Sequence, residues 1–266
     1  ADNLHFSEKV ENLKPSGIRI FDNKVSEIPN IIKLTLGEPD LNTPEHVKKA
    51  AVKSIEENDS HYAPQKGKKE LLEAISRFLD KTIHVKYDPK SEIVATVGAT
   101  EAINAAIFAL FNPEDKILVP TPVFSLYWPV ANLAGVQYSL VNTASDDFKL
   151  TAEKLEEVVK NDPTIKGVIL NYPTNPTGVE YSHEEIKQLA KIVEKYNLYV
   201  ITDEIYSSLT YGVEHYSIAT EIPERTLYIS GLSKSHAMTG YRLGYIAGPK
   251  KVIDQISKVH GLMVTT

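Results

Sequence analysis

Between residues 93 and 260 short apolar runs of strand length alternate with amphipathic stretches of helix length, and that alternation constrains the fold of this chain more than any other feature. It predicts strands over 93–97, 116–120, 136–141, 167–171, 198–202, 226–229 and 243–247. Helices are predicted over 100–111, 124–133, 151–160 and 249–260, and a capping box of Ser182 and Glu185 opens another between the fourth and fifth strands. Strand and helix in turn imply an α/β fold, a three-layer α/β/α sandwich with a mostly parallel sheet covered on both faces. In such a sheet ligands gather in the crevice outside the carboxyl ends of the strands. The residues that follow each predicted strand are therefore the candidates for function.

The first part of the chain is less regular. Residues 1–30 read as an arm with at most a short helix, followed by an extended run over 31–36 that predicts a strand. A helix is expected next, with Thr43 as its N-cap, Pro44 at its first position and Val47, Ala50, Ala51 and Ile55 on an apolar face. After a loop over 61–67, Leu71, Leu72, Ile75, Phe78 and Leu79 mark a second amphipathic helix.

Composition excludes several classes. The chain has 266 residues, 42% hydrophobic and 24% charged, which suits a large globular domain and not a disordered or fibrous one. A net charge of −6 without a basic block gives no reason to expect nucleic acid as a partner. There is no cysteine, so disulfides, thiolate metal sites and a cysteine nucleophile are ruled out, a reducing compartment is indicated, and no metal is expected. The opening residues lack the charged-then-apolar plan of a signal peptide, and the longest apolar run, 102–111, is too short to span a bilayer. A cytoplasmic protein without a membrane association is the expectation.

The strand ends carry an unusual set of side chains. Lys234 follows the sixth strand through the small residues Ser230-Gly231-Leu232-Ser233, and eight positions later Arg242, one of four arginines, stands between Gly240 and Gly244. An isolated lysine is ordinarily a solvated charge. Here, however, other strand ends offer complementary groups. Gly98-Ala99-Thr100-Glu101 opens a helix directly after the first strand, and free N–H groups at the positive end of a helix dipole make a phosphate seat. Phe124 follows the second strand and presents a flat apolar face. Asn175 lies on a loop stiffened by Pro173 and Pro176. Asp203 ends an otherwise apolar strand and needs a cation, for which Arg242, Lys234 or a protonated ring nitrogen of a ligand are the candidates. Tyr206 adds a phenol. Phosphate seat, aromatic plate, amide, carboxylate, phenol and amine together describe a site for a phosphorylated heteroaromatic aldehyde.

These residues also carry a family resemblance. Gly231-Leu232-Ser233-Lys234 followed by Arg242-Leu243-Gly244 resembles the pyridoxal-phosphate attachment motif of class I/II aminotransferases of fold type I. Asn175-Pro176-Thr177-Gly178, Asp203-Glu204-Ile205-Tyr206 and Leu36-Gly37-Glu38-Pro39-Asp40 are similar to other signatures of that family, in the same order. The resemblance implies pyridoxal 5′-phosphate as cofactor and Lys234 as the lysine that forms a Schiff base with it. It implies Asp203 as the partner of the pyridine nitrogen, Tyr206 and Asn175 at the ring's phenolic oxygen, and Phe124 stacked on the ring. Gly98, Ala99, Thr100, Ser233 and Arg242 would hold the phosphate, with Tyr62 reaching the phosphate of a neighbouring subunit in a homodimer. Gly37 and Asn175 would meet the substrate. By the same resemblance residues 1–45 form an arm and small-domain segment, residues 46–266 form the cofactor-binding large domain, and a C-terminal small domain with the arginine that grips the substrate's carboxylate is expected to be absent from this chain. One position departs from the family's pattern: Gly231 stands where serine is frequent, so that a phosphate contact is lost or passes to Ser230.

The expected activity is transfer of an amino group between a small-molecule L-amino acid and a 2-oxo acid, with Lys234 as general base at the substrate's α carbon. Three alternatives share the cofactor-holding residues: a fold-type-I lyase cleaving a carbon–sulfur bond, a cofactor-binding sensor domain without turnover, and a shortened enzyme that binds cofactor but turns over poorly. Arg19, Arg77 and Arg225 sit in no matching motif and read as surface charges.

Overall fold

The computed structural model describes residues 4–264. Its seven strands are β1 (Ile93–Val97), β2 (Lys116–Thr121), β3 (Gln137–Asn142), β4 (Ile165–Asn171), β5 (Tyr199–Asp203), β6 (Thr226–Gly231) and β7 (Leu243–Ala247). They form one sheet in the order β1-β7-β6-β5-β4-β2-β3. β7 runs antiparallel to both its neighbours, and the remaining pairs are parallel, so the sheet is mostly parallel as the alternation implies.

Helices cover both faces because the strands are apolar on both. Ile117, Val119, Ile169, Ile201, Ile229 and Ile246 face one layer, built from α5 (Gly98–Leu110), α6 (Tyr127–Ala134) and α9 (Lys250–Met263). Leu118, Val168, Leu170 and Val200 face the other, where α7 (Ala152–Asn161) and α8 (His183–Lys195) pack, with α4 (Lys69–Ile83) covering the β1, β6 and β7 end. The expected capping box is present at the start of α8: Glu185 N–H donates to Ser182 Oγ, and Ser182 N–H donates to the Glu185 carboxylate. Among the described residues no helix is long and apolar enough to cross a membrane.

Two expectations in the first part fail. The 31–36 run is irregular, not a strand. Lys33 and Thr35 are tied by their side chains to Asp22 and Ser26, at the end of α2 (Gly17–Val25), while Ile32 and Leu34 are 87% and 91% exposed. β propensity makes a strand only where a sheet edge accepts its backbone, and this run pairs with neither edge. Thr43 is not an N-cap either: α3 (Glu45–Glu56) starts after Pro44, and the Thr43 hydroxyl donates to the Ala237 carbonyl, linking the arm to the Lys234 segment. The apolar face foreseen for α3 remains at least partly in solvent throughout. A short α1 (Glu8–Glu11) precedes these elements.

Direction within the sheet explains how distant residues meet. Because β7 is antiparallel, its first residue lies at the same rim as the last residues of the parallel strands. The register places Val97 opposite Leu243, Gly231 opposite Gly244, Asp203 opposite Ile229 and Asn171 opposite Asp203. Arg242, which precedes β7, thereby reaches the rim that β1, β4, β5 and β6 reach by ending there.

Candidate active site at the strand ends

At this rim the expected phosphate seat is a tight backbone cradle. Gly98 begins α5 at φ +69°, a left-handed conformation that favours glycine, and its N–H donates to the Arg242 carbonyl at 2.9 Å. A Cβ on Gly98 would lie 2.4 Å from the Arg242 guanidinium, so that cation sits directly over the helix start. A Cβ on Gly244 would meet Gly98 C at 2.4 Å and Ala99 N at 2.5 Å. Only a residue without a side chain permits that approach. Arg242 itself is held at φ 54° and donates to the Thr239 carbonyl at 3.0 Å, leaving the rest of its fork free to meet an anion beside the N–H groups of Ala99 and Thr100. Gly231 is explained by the same packing, since a Cβ there would lie 2.7 Å from the Leu243 carbonyl. Ser230 does not take its place: its hydroxyl turns to the opposite side of the strand and donates to the Glu204 carbonyl at 3.5 Å. Ser233 is buried.

The other half of the site centres on Asp203. This carboxylate is 3% exposed. Tyr127 donates its hydroxyl to Oδ2 at 2.8 Å and Ile205 N–H donates to Oδ1 at 3.3 Å. Among the described residues no cation pairs with it, neither Arg242 nor Lys234. Burial pushes its carboxyl up to about 6, against the pull of these two hydrogen bonds. Phe124, 37% exposed, stands edge-on to Tyr127 at 6.0 Å and 89°.

Lys234 lies on the same side. Its Nζ is 5.7 Å from the centre of the Tyr206 ring and donates to the Gly37 carbonyl, so the arm's Leu36–Asp40 motif does meet the lysine. Partial burial lowers the ammonium's pKa; Glu38 works against that and Arg242 adds to it. The Tyr206 hydroxyl is raised by burial and by the Asp203 charge, and lowered by its hydrogen bond with the Asn175 side chain. Asn175 is oriented through its N–H, which donates to Asn171 Oδ1 at 2.9 Å, while Asn171 Nδ2 donates to the Asp203 carbonyl at 2.9 Å. Tyr206 thus joins Lys234, Asn175 and Asp203 into one group. Tyr62 stands apart, 88% exposed.

Three contributors were not foreseen. Tyr127 begins α6 outside every motif quoted above. Asn171 ends β4 outside the quoted motifs and Glu38 lies inside one without an assigned role; Glu38 accepts from the Thr239 hydroxyl at 3.1 Å and so braces the Lys234 segment.

The model of the family described as "Aminotransferase class I and II" matches residues 29–266. The chain belongs to the class I and II aminotransferases. It is 45% identical over 252 residues to a probable N-acetyl-LL-diaminopimelate aminotransferase of Bacillus subtilis, a match covering 95% of this chain and 64% of that protein. It is 37% identical to an aspartate aminotransferase of Geobacillus stearothermophilus, covering 96% and 66%. Among solved structures, aspartate aminotransferase from Thermus thermophilus with maleate superposes with a TM-score of 0.94 at 33% identity, over 99% of this chain and 69% of that one. The chain therefore spans about two thirds of the length of these relatives. Members of this aminotransferase family use pyridoxal phosphate, and two features of the site fit that group. The glycine-lined cradle under Arg242 suits its phosphate, and the buried carboxylate without a cation suits its ring nitrogen.

Proposed function

We propose that this chain is the cofactor-binding part of an aminotransferase that moves an amino group between an L-amino acid and a 2-oxo acid, with residues 46–266 as the large domain and residues 1–45 as the arm. The observation that carries the reading is that Lys234 and Asp203, which has no cation partner among the described residues, both act on Tyr206: the Lys234 Nζ lies 5.7 Å from its ring and the Asp203 charge raises its hydroxyl. Bound there, pyridoxal phosphate supplies a carbonyl that takes up amines and an electron-withdrawing ring.

The chain's own residues then divide the work. Arg242 and the N–H groups at the start of α5 bind the phosphate and fix the group's position. Asp203 holds a proton at the ring nitrogen, and Tyr127 orients the carboxylate for it. Asn175 and Tyr206 donate to the ring's phenolic oxygen, and Phe124 covers the ring. Lys234 would hold the group through its amine and, once freed, would carry the proton away from, and back to, the substrate's α carbon. Its lowered pKa favours the neutral amine this task needs. The Gly37 carbonyl and the Asn175 side chain border the side from which substrate enters.

A homodimer belongs to this reading, in which Tyr62, 88% exposed, reaches the phosphate of a second copy. A cytoplasmic setting agrees with the cysteine-free composition. The names of the relatives supply the donors to compare: N-acetyl-LL-diaminopimelate, aspartate and aromatic amino acids.

The test is Lys234→Ala in the full-length protein. The visible absorbance that wild type develops with pyridoxal phosphate should disappear, together with amino transfer; visible absorbance that survives in the variant would contradict the assignment. Product analysis separates the carbon–sulfur lyase, which would release ammonia and pyruvate in place of a transferred amino group.

A further inference from the structure

Behind the cofactor site lies a second group of charges that the transamination reading does not use. Glu204 follows Asp203 but points to the opposite face of the sheet, as successive strand residues do. It is fully buried. Its Oε1 accepts from Thr202 and Ser217 hydroxyls, each at 2.8 Å, and its Oε2 lies 2.6 Å from His215 Nε2. The other ring nitrogen of His215, Nδ1, lies 2.8 Å from Glu180 Oε2. An imidazole with a carboxylate on each nitrogen can donate to both only as the cation.

Those two carboxylates belong to the two loops that carry the ring-facing residues. Glu180 follows the turn over 174–179, which is closed by Thr174 N–H donating to the Val179 carbonyl at 3.0 Å and by Gly178 N–H donating to the Thr174 carbonyl at 2.7 Å; Asn175 sits inside that turn. Glu204 separates Asp203 from Ile205 and Tyr206. The segment bearing His215 is itself anchored, with Ile218 N–H donating to the Tyr172 hydroxyl at 2.8 Å and that hydroxyl donating to the Tyr216 carbonyl at 3.2 Å.

We propose that His215 is a positioning residue of the cofactor site: clasped by Glu180 and Glu204, it ties the Asn175 loop to the Asp203–Tyr206 loop and supplies the positive charge that offsets Glu204 behind Asp203. This rests on the cofactor reading above. The charged and titratable groups around the clasp are Glu180 and Glu204 at the ring nitrogens and Tyr172, whose ring lies 5.2 Å away. Tyr87, Tyr228 and Tyr245 feel the Glu204 charge from their own strands and loops, and Asp203 is its chain neighbour. Burial alone would lower the imidazole's pKa, but the hydrogen bonds and charges of Glu180 and Glu204 push it up to about 10, so the cation persists through the neutral range. Without it, Glu204 would be a buried carboxylate with only hydroxyl partners, next to a second carboxylate that must remain ionised.

Full-length wild type, His215→Gln and Glu180→Gln, each titrated with pyridoxal phosphate, test this through the cofactor's dissociation constant and the pH midpoint of its visible band. His215→Gln removes a positive charge, so the bound cofactor's proton is held more tightly and the midpoint rises. Glu180→Gln removes a negative charge and the midpoint falls. Each shift should be about half a pH unit or more, and His215→Gln should also weaken cofactor binding about tenfold through the loosened loops. Opposite shifts support the inference. Shifts of the same sign, or none, overturn it and leave a purely structural clasp. Should His215→Gln fail to fold, an unshifted midpoint in Glu180→Gln alone overturns it. A wild type that binds no cofactor overturns the site reading, and this inference with it.

Discussion

Asp203 and Glu204 are adjacent carboxylates, both buried, and the sheet gives them opposite surroundings. Glu204, on the back face, is satisfied within the chain by an imidazole and two hydroxyls. Asp203, on the front face, has a phenol and a backbone N–H but no cation among the described residues, and its carboxyl is pushed up to about 6. Burying a charge costs several kcal/mol unless it is paired. A carboxylate whose partners are complete contributes to the fold; one left short of a cation can take one from a ligand, as the proposed function requires of Asp203. Under the proposed function that difference separates the face that meets the cofactor from the face that supports it.

Substitutions at the two positions should therefore fail in different ways. Asp203→Asn should cost the most in function, about 100-fold or more in kcat/KM for amino transfer, because the ring nitrogen loses its charge partner; steady-state kinetics that barely change would erase the distinction. Glu204→Gln breaks the His215 clasp, so it should cost far less in kcat/KM than Asp203→Asn while weakening cofactor binding and shifting the midpoint of its visible band, and should lower unfolding free energy by about 3 kcal/mol, as breaking a buried pair does, measured by denaturant titration. The smallest effect is expected at Tyr127→Phe, which removes one hydrogen bond to Asp203. It should weaken cofactor binding by about 1 kcal/mol and raise the Asp203 carboxyl further, since that bond now lowers it.

The strands and most helices were legible because apolar periodicity reports burial directly, and the β-sheet core of this chain is continuous. The antiparallel course of β7 was not, since the sequence of a strand is the same whichever way it runs. Yet that reversal is what brings Arg242 to the cradle at Gly98. The 31–36 run misled for a related reason: Ile and Leu at strand spacing signal a strand only if an edge is open to them, and edges are not written locally. Within the site, Lys234, Asp203, Asn175 and Arg242 could be named from motifs at strand ends. Tyr127 could not, because nothing in its neighbours says that its hydroxyl points across the sheet at a residue 76 positions on. His215 was equally silent, being an isolated histidine whose partners come from two other loops.

The exposed arm makes a second contrast. Ile32 and Leu34 lie in solvent while the strands behind Lys234 are dry, yet the arm touches the site at three points: Gly37 to Lys234, Glu38 to Thr239 and Thr43 to Ala237. Placement of the lysine thus depends on a segment with little core of its own.

The most direct test compares the thermal stability of wild type and Asp203→Asn near pH 8, with and without pyridoxal phosphate. The native carboxyl at about 6 lies above its ordinary value of 3.8, so its contribution is favourable below the ordinary value and is lost as the pH rises through 6. Without cofactor the variant should then be more stable than wild type by an amount on the order of 1–3 kcal/mol, and so melt higher; with cofactor the order should reverse. A variant that melts lower under both conditions would show that Asp203 is already satisfied within the chain, and would contradict the claim that it waits for a cation.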